Sequence, residues 1–191
     1  MAPVTYFAAS AGGAFDLANS NTAPFLEALS TFPKPLIAAV RGRAIGIGTT
    51  LLLHCDLVYV AEDAELMTPF IDLGLVPEAA SALLMPARIG HVRAFALFAL
   101  GERQSGSEAA LLGIANQALP ADAVDAAAYG AARMLASKPA SALRATKTLM
   151  LRTQAIAAAL ETDRAAFLAQ IATPEAAAAF AAFAARKRPA S

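Results

Sequence analysis

Between residues 36 and 55 the chain reads LIAAVRGRAIGIGTTLLLHC, and few folds accommodate that order. Residues 36–40 are an uninterrupted apolar run bounded by Pro35 and Gly42. A half-buried strand alternates apolar with polar, so this run predicts a strand buried on both faces of a parallel sheet. Gly46 and Gly48 then lead into residues 49–55, too rich in leucine for a surface and too short to cross a bilayer. They read as a buried helix. A strand that enters such a helix through a glycine turn presents the helix's first N–H groups, which have no intrahelical acceptor. Either those groups hold a negative oxygen, or the glycines merely permit a tight turn. Spacing alone leaves both readings open.

Further extended runs follow at residues 56–61 and 64–69, parted by the polar Glu62 and Asp63. The loop after Pro69, FIDLGLVPEAAS, has Gly74 and Pro77 to fix its path and sets Glu78 where an apolar helix, residues 79–84, is predicted to begin. A carboxylate there has a structural explanation, because it complements the helix dipole and caps the first turn. Upstream, residues 4–8 predict a short strand broken by SAGG, and residues 23–29 a short helix. Downstream, helices are predicted over 91–100, ended by Gly101, and over 107–112, started by a serine cap, with a brief strand at 116–119. Long alanine-rich helices cover 122–137, 140–152 and 155–172, and Thr173-Pro174 restarts a last helix that ends near Arg186. The expected organisation is an α/β core over 1–120 and a helical region over 121–191.

Composition removes several functions. The 15 basic and 15 acidic residues cancel, so no global field draws nucleic acid or an anionic membrane. With 58% hydrophobic and 16% charged residues the chain is too apolar for disorder and suits burial between subunits. No apolar run is long enough for a membrane span, and the N-terminal MAPVTYFAASAGG lacks the flank of a signal peptide, so a cytoplasmic protein is expected. A single cysteine, Cys55, and two histidines, His54 and His91, supply no metal-ligand spacing, and no metal is expected. His54 reads as a core histidine, Cys55 as a small buried residue and Asp56 as a capping or turn residue.

Taken in order, PKPLIAAVRGRAIGIG, CDLVYVAEDAEL, LGLVPEAAS, GERQSGSEAALLGIANQALP and FAARKRP resemble the crotonase superfamily, the enoyl-CoA hydratase/isomerase family, over residues 32–188. The resemblance implies an α/β, crotonase-like (ClpP/crotonase) spiral of ββα units with a C-terminal helical region. It also implies assembly as a homotrimer or a dimer of trimers, and an acyl-CoA thioester as substrate. Coenzyme A then arrives as part of the substrate, with no separate cofactor. The chemistry implied is stabilisation of a thioester enolate by two backbone N–H groups. One falls on Ile47, between Gly46 and Gly48. The other falls on Gly13 if Ala11-Gly12 is aligned with the family's AG, or on Phe15 if Asp16-Leu17 is the anchor.

The places where hydratases of the family keep a pair of glutamates hold Thr50 and Phe70 here, and neither can activate water. Glu78 remains, and its context resembles the Δ3,Δ2-enoyl-CoA isomerase branch, where one acidic residue carries a proton from C2 to C4. In the apolar surround of Phe70, Ile71, Leu75 and Val76, desolvation is expected to raise its pKa toward that of a good proton shuttle. By the same resemblance Gly46, Thr50, Phe70 and Leu75 are expected to line the substrate. Phe183 and Arg186 are expected to reach the CoA of a neighbouring subunit, unless the basic tail is simply solvated. The family's strands and helix ahead of the first oxyanion loop have no counterpart in this sequence, so the chain reads as N-terminally shortened. Two alternatives stand beside the isomerase. One is a pseudoenzyme or truncated form that binds a CoA thioester or is structural only; the other is an enoyl-CoA hydratase.

Overall fold

The computed structural model describes residues 22–186. The strand expected at 4–8, the oxyanion candidates Gly13 and Phe15, and the Arg186 side chain lie outside the described residues.

The strands form two sheets. Strands β1 (Ile37–Val40), β3 (Leu57–Ala61) and β6 (Gln117–Leu119) make one in the order β1-β3-β6, parallel throughout, with Ile37 beside Leu57 and Tyr59 beside Gln117. Strands β2 (Arg43–Ile45), β4 (Glu65–Met67) and β5 (Gln104–Ser105) make the other, β2 parallel and β5 antiparallel to β4. The chain lays a strand in the first sheet, then one in the second, then a helical piece, and repeats, which is a spiral of ββα units. Between the layers the core gathers Leu52, Val58, Val60, Leu66, Met85 and Leu97.

The predicted strands at 36–40, 56–61, 64–69 and 116–119 all appear. Their environment differs at β1, where Ala39 is exposed and its neighbours are half-buried. Among the described residues β1 is an edge strand, so only the central β3 shows the deep burial expected of a parallel strand, with Val58 and Val60 sealed off. The segment 43–45, to which the sequence assigned no element, is a strand. Arg43 lies opposite Glu65 in the ladder and its Nε donates to that carboxylate at 2.7 Å, with Arg103 on the other oxygen.

The helix expected at 49–55 is two pieces, α2 (Ile47–Thr50) and a 3-10 turn over Leu51–His54. The Thr49 hydroxyl donates to Ala44 O and lies 3.1 Å from Met67 O, pinning the first turn onto β2 and β4. The helix expected at 79–84 is α3 (Ser81–Ile89), and α4 (His91–Ala99) follows. Helix α5 (Gly106–Leu112) is capped by Ser105 and not by Ser107. Ser105 Oγ accepts the Glu108 N–H, and the Glu108 carboxylate accepts the Ser105 N–H at 2.7 Å, a reciprocal capping box.

The remaining helices are α1 (Thr22–Ser30), α6 (Val124–Ala136), α7 (Ala140–Met150), α8 (Thr153–Ile171) and α9 (Pro174–Arg186). Thr173 and Pro174 start α9 as predicted, the threonine Oγ1 accepting the Ala176 N–H at 3.2 Å. These helices share the strands' core, to which α9 contributes Ala176 and Phe180. From α7 the buried Lys147 reaches back to Asp56 Oδ2 at 2.7 Å and Lys34 O at 2.8 Å. Asp56 also accepts the Leu36 N–H at 2.6 Å, so the residue expected to have a turn role ties the entry of β1 to α7.

Candidate active site

The glycine turn between β2 and α2 has a conformation that its residue type explains. Gly46 sits at φ +58, ψ −118, where L side chains are strained. Its N–H donates to Met67 O at 2.9 Å, and its carbonyl accepts from Thr49 and Thr50 N–H at 2.9 and 3.1 Å. Ile47 therefore opens α2, where a backbone N–H has no intrahelical acceptor. A Cβ on Gly46 would stand 4.0 Å from Phe70 Cε1, so the phenylalanine ring lies over the turn. Phe70 is buried and tilts against Phe98 with ring centroids 6.3 Å apart. The position that holds a carboxylate in the hydratase pattern is here an apolar wall.

Glu78 does not cap a helix. The N-cap of α3 is Ala80, with no side-chain cap, and Glu78 precedes it in an extended loop. The Thr50 hydroxyl donates to Glu78 Oε1 at 2.6 Å. Burial pushes the Glu78 carboxyl up to about 7, partly offset by the Thr50 hydrogen bond and reinforced by the negative charge of Asp163. A carboxyl that ionises there can take a proton and return it at neutral pH. Thr50 is thus the direct partner of the acid, a role the sequence did not show.

Asp163, on α8, is the second feature missed. Burial raises its pKa to about 6, an effect partly offset by the backbone of Ala80 nearby. Its Oδ2 is buried and makes no hydrogen bond among the described residues. The sequence signal was lost in the alanine-rich run LETDRAAF, where one aspartate reads as helix surface. His54 is buried as expected, with Nε2 2.8 Å from Ala79 O, and burial lowers its pKa.

The structure thus brings Gly46, Ile47, Thr50, Phe70 and Glu78 together around the turn. Leu75 is 2% exposed within the core, its N–H bonded to Phe70 O at 2.8 Å. Turning the chain back at Gly74 carries this leucine under the loop. Phe183 lies on α9 and is partly exposed, consistent with a surface role.

Comparison with known proteins follows the same lines. A family model described as enoyl-CoA hydratase/isomerase matches residues 10–190. The enoyl-CoA delta isomerase 2 of Rattus norvegicus is 31% identical over 154 residues, covering 79% of this chain and 39% of that protein. The 2,3-dehydroadipyl-CoA hydratase of Escherichia coli is 33% identical over 159 residues, covering 82% of this chain and 62% of that protein. The chain therefore spans less than two thirds of the length of these curated relatives. Among solved structures, OdaA of Pseudomonas aeruginosa superposes with a TM-score of 0.86 at 41% identity, over 94% of this chain and 73% of that one. A family model matched across nearly the whole chain, on a strand spiral shared with solved members, means that this chain belongs to the enoyl-CoA hydratase/isomerase family, with the crotonase fold.

Proposed function

We propose that the chain binds an acyl-CoA thioester and moves a double bond from position 3 to position 2, with Glu78 as the base that takes a proton from C2 and returns it to C4. The observation that carries the reading is the Glu78 carboxyl itself, half-buried beside the Gly46 turn, bonded to Thr50 at 2.6 Å and ionising near 7. A proton between a carbonyl and a double bond leaves a conjugated dienolate, so one carboxylate on one face serves both transfers. The enolate oxygen is held by the Ile47 N–H, with a second backbone N–H assigned to Gly13 from the resemblance alone. Phe70 walls the site and supplies no group to orient water, which separates this reading from hydration. Phe183 and Arg186 are the proposed contacts to the CoA of an adjoining subunit.

The relatives' names include both isomerases and hydratases, so family membership does not choose between them. A trimer remains part of the proposal, supported by exposed Val92, Phe95, Leu100 and Leu111. The deciding experiment follows a 3-enoyl-CoA by the absorbance of its conjugated product. Wild type is expected to convert it, and Glu78→Gln to lose about 10²–10⁴-fold in kcat. Equal turnover in the variant overturns the assignment of Glu78. Rapid water addition to a 2-enoyl-CoA would make the chain a hydratase. Absence of both activities, with thermal stabilisation by acyl-CoA retained, would make it a binding protein.

A further inference from the structure

Thr31, Thr148 and Thr162 each donate a hydroxyl to the carbonyl four residues back, and each does so at 2.9 Å. That is the ordinary bond of a threonine on a helix. Thr50 departs from it. Its Oγ1 stands 3.5 Å from Gly46 O, the carbonyl four residues back, which is too long for a hydroxyl donor, and 2.6 Å from Glu78 Oε1. The acid has drawn the hydroxyl off its own helix. A hydroxyl has one hydrogen to give, so the Thr50 hydrogen goes either to the carboxylate or to the carbonyl.

Which acceptor wins depends on the charge of Glu78. A bond to an ionised carboxylate is about twice as strong as one between neutral groups, and this holds the hydrogen on Oε1 while Glu78 is ionised. Once Glu78 carries a proton, Oε1 is a neutral acceptor and that advantage is gone. Gly46 O then stands where the helix places it for a threonine, beside the Thr49 and Thr50 N–H groups it already accepts. Thr50 is fully buried, so a hydroxyl that let go of the acid with no second acceptor would carry the cost of an unmade bond. Gly46 O removes that cost. On the other side, Thr50 supplies the one hydrogen bond that the Glu78 carboxylate accepts among the described residues, so release leaves the acid side chain untethered. We infer that Thr50 is a charge-sensitive latch, which holds the Glu78 carboxylate while it is a base and turns back to Gly46 O once it has become an acid.

The use of the latch rests on the isomerase reading. With Oε1 held by Thr50, Oε2 takes the proton from C2, and the electrons of the broken C–H bond pass into the dienolate. Glu78 then gives that proton to C4, where the new C–H bond forms, and is ionised again. An acid held rigidly at the first carbon is out of line for the second, and release lets the carboxyl move between them. Thr50 is a positioning residue in this step, acting on the base. Among the groups around it, Asp163 of α8 is the charge that acts on Glu78. His54 of the 3-10 turn sits 2.8 Å from Ala79 O, with burial favouring its neutral form. Arg88 of α3 donates to Leu53 O, and Glu65 of β4 is engaged by Arg43 and Arg103.

The test is made on the ligand-free protein. Crystal structures at about pH 5 and about pH 9 flank the Glu78 value near 7. At the higher pH Thr50 Oγ1 is expected 2.6 Å from Glu78 Oε1 and 3.5 Å from Gly46 O. At the lower pH the distance to Gly46 O is expected to close to about 2.9 Å, the value at Thr31, Thr148 and Thr162, as the distance to Oε1 opens beyond hydrogen-bond reach. In solution, NMR relaxation of the Glu78 side chain is followed against pH in wild type, Thr50→Ser, Thr50→Val and Asp163→Asn. Wild type and the serine variant are expected to be ordered at high pH and to lose that order as Glu78 takes up its proton. The valine variant is expected to lack the order at both ends. Asp163→Asn removes the other group that titrates near 6, and is expected to behave as wild type with its transition at lower pH. A wild-type Glu78 side chain equally ordered at both ends, with Thr50 still on Oε1, overturns the latch. So does a valine variant that keeps the pH-dependent order. Should wild type isomerise no 3-enoyl-CoA, the functional reading fails, and these two measurements still decide the latch.

Discussion

The Thr50 hydroxyl donates to the Glu78 carboxylate at 2.6 Å, joining the helix after the glycine turn to the loop that carries the acid. The bond favours the ionised carboxylate and opposes the burial that raises its pKa. Two devices of opposite sign therefore act on one proton.

Thr50→Val keeps the shape of a fully buried side chain and deletes the donor. Glu78 then loses the interaction that lowers its pKa, and the acid limb of the kcat/KM profile is expected to move up by about one pH unit. Turnover falls at neutral pH and recovers at alkaline pH. A profile that stays in place shows that the bond carries no weight in the reacting protein.

Stability is expected to depend on pH in the direction opposite to that of a salt-bridged carboxylate. Glu78 ionises near 7 in the folded chain against an ordinary value of 4.5. Below 4.5 both folded and unfolded states hold the proton. Between 4.5 and about 7 the folded state alone holds it, so stability falls as pH rises, and above 7 the whole cost remains. Asp163, raised to about 6, slopes the same way. Glu78→Gln should thus be more stable than wild type at pH 8, by ~1–3 kcal/mol, and equal to it in strong acid. Denaturant melts at a series of pH values test this, and a variant less stable than wild type at pH 8 contradicts it.

Gly74→Ala addresses the loop from below. Gly74 has φ +67, and a Cβ there would stand 2.8 Å from Ala176 Cα and 2.9 Å from its N. Backbone cannot give way as a side chain can, so the substitution adds displacement to left-handed strain. A loss of at least ~1–2 kcal/mol is expected in urea unfolding, read as a lower midpoint at unchanged slope.

The pair formed by Lys147 and Asp56 predicts an asymmetry. Lys147 is 8% exposed and Asp56 30%, and Asp56 keeps the Leu36 N–H when the lysine is removed. Asp56→Ala leaves a buried ammonium with Lys34 O and the face of the Phe32 ring, 5.8 Å away, in place of a counter-ion, and is expected to cost ~3 kcal/mol. Lys147→Met should cost clearly less. Equal losses in chemical denaturation would show that the ammonium is not what makes the pair costly to break.

Much of this architecture was legible in the chain. The apolar runs gave β1, β3 and β4, Gly101 ended α4, and Thr173-Pro174 began α9, because each is a local preference acting on a local element. Glu78 stood out by its place in a proline- and glycine-shaped loop. Strand β2 was hidden, since Arg43 and the glycines around it look like a turn until Glu65 is opposite. Asp163 and Thr50 were hidden for a deeper reason. Their partners are brought to them by packing between elements distant in sequence, and nothing in an alanine-rich helix marks which polar residue turns inward. The left-handed pair at Ala79 and Ala80 left no trace either, because alanine carries none of the signal that glycine or asparagine gives at such positions.

The close approach of Gly74 to Ala176 makes the first turn of α9 a mould for the loop ahead of Glu78. Ala176 is fully buried, and a bulkier residue there would lift the loop that ends in the base. No change of side chain at 176 makes room for a Cβ at 74, because the atoms in the way are backbone, and so a chain segment with no polar group to offer the substrate is bound by the geometry the reaction needs.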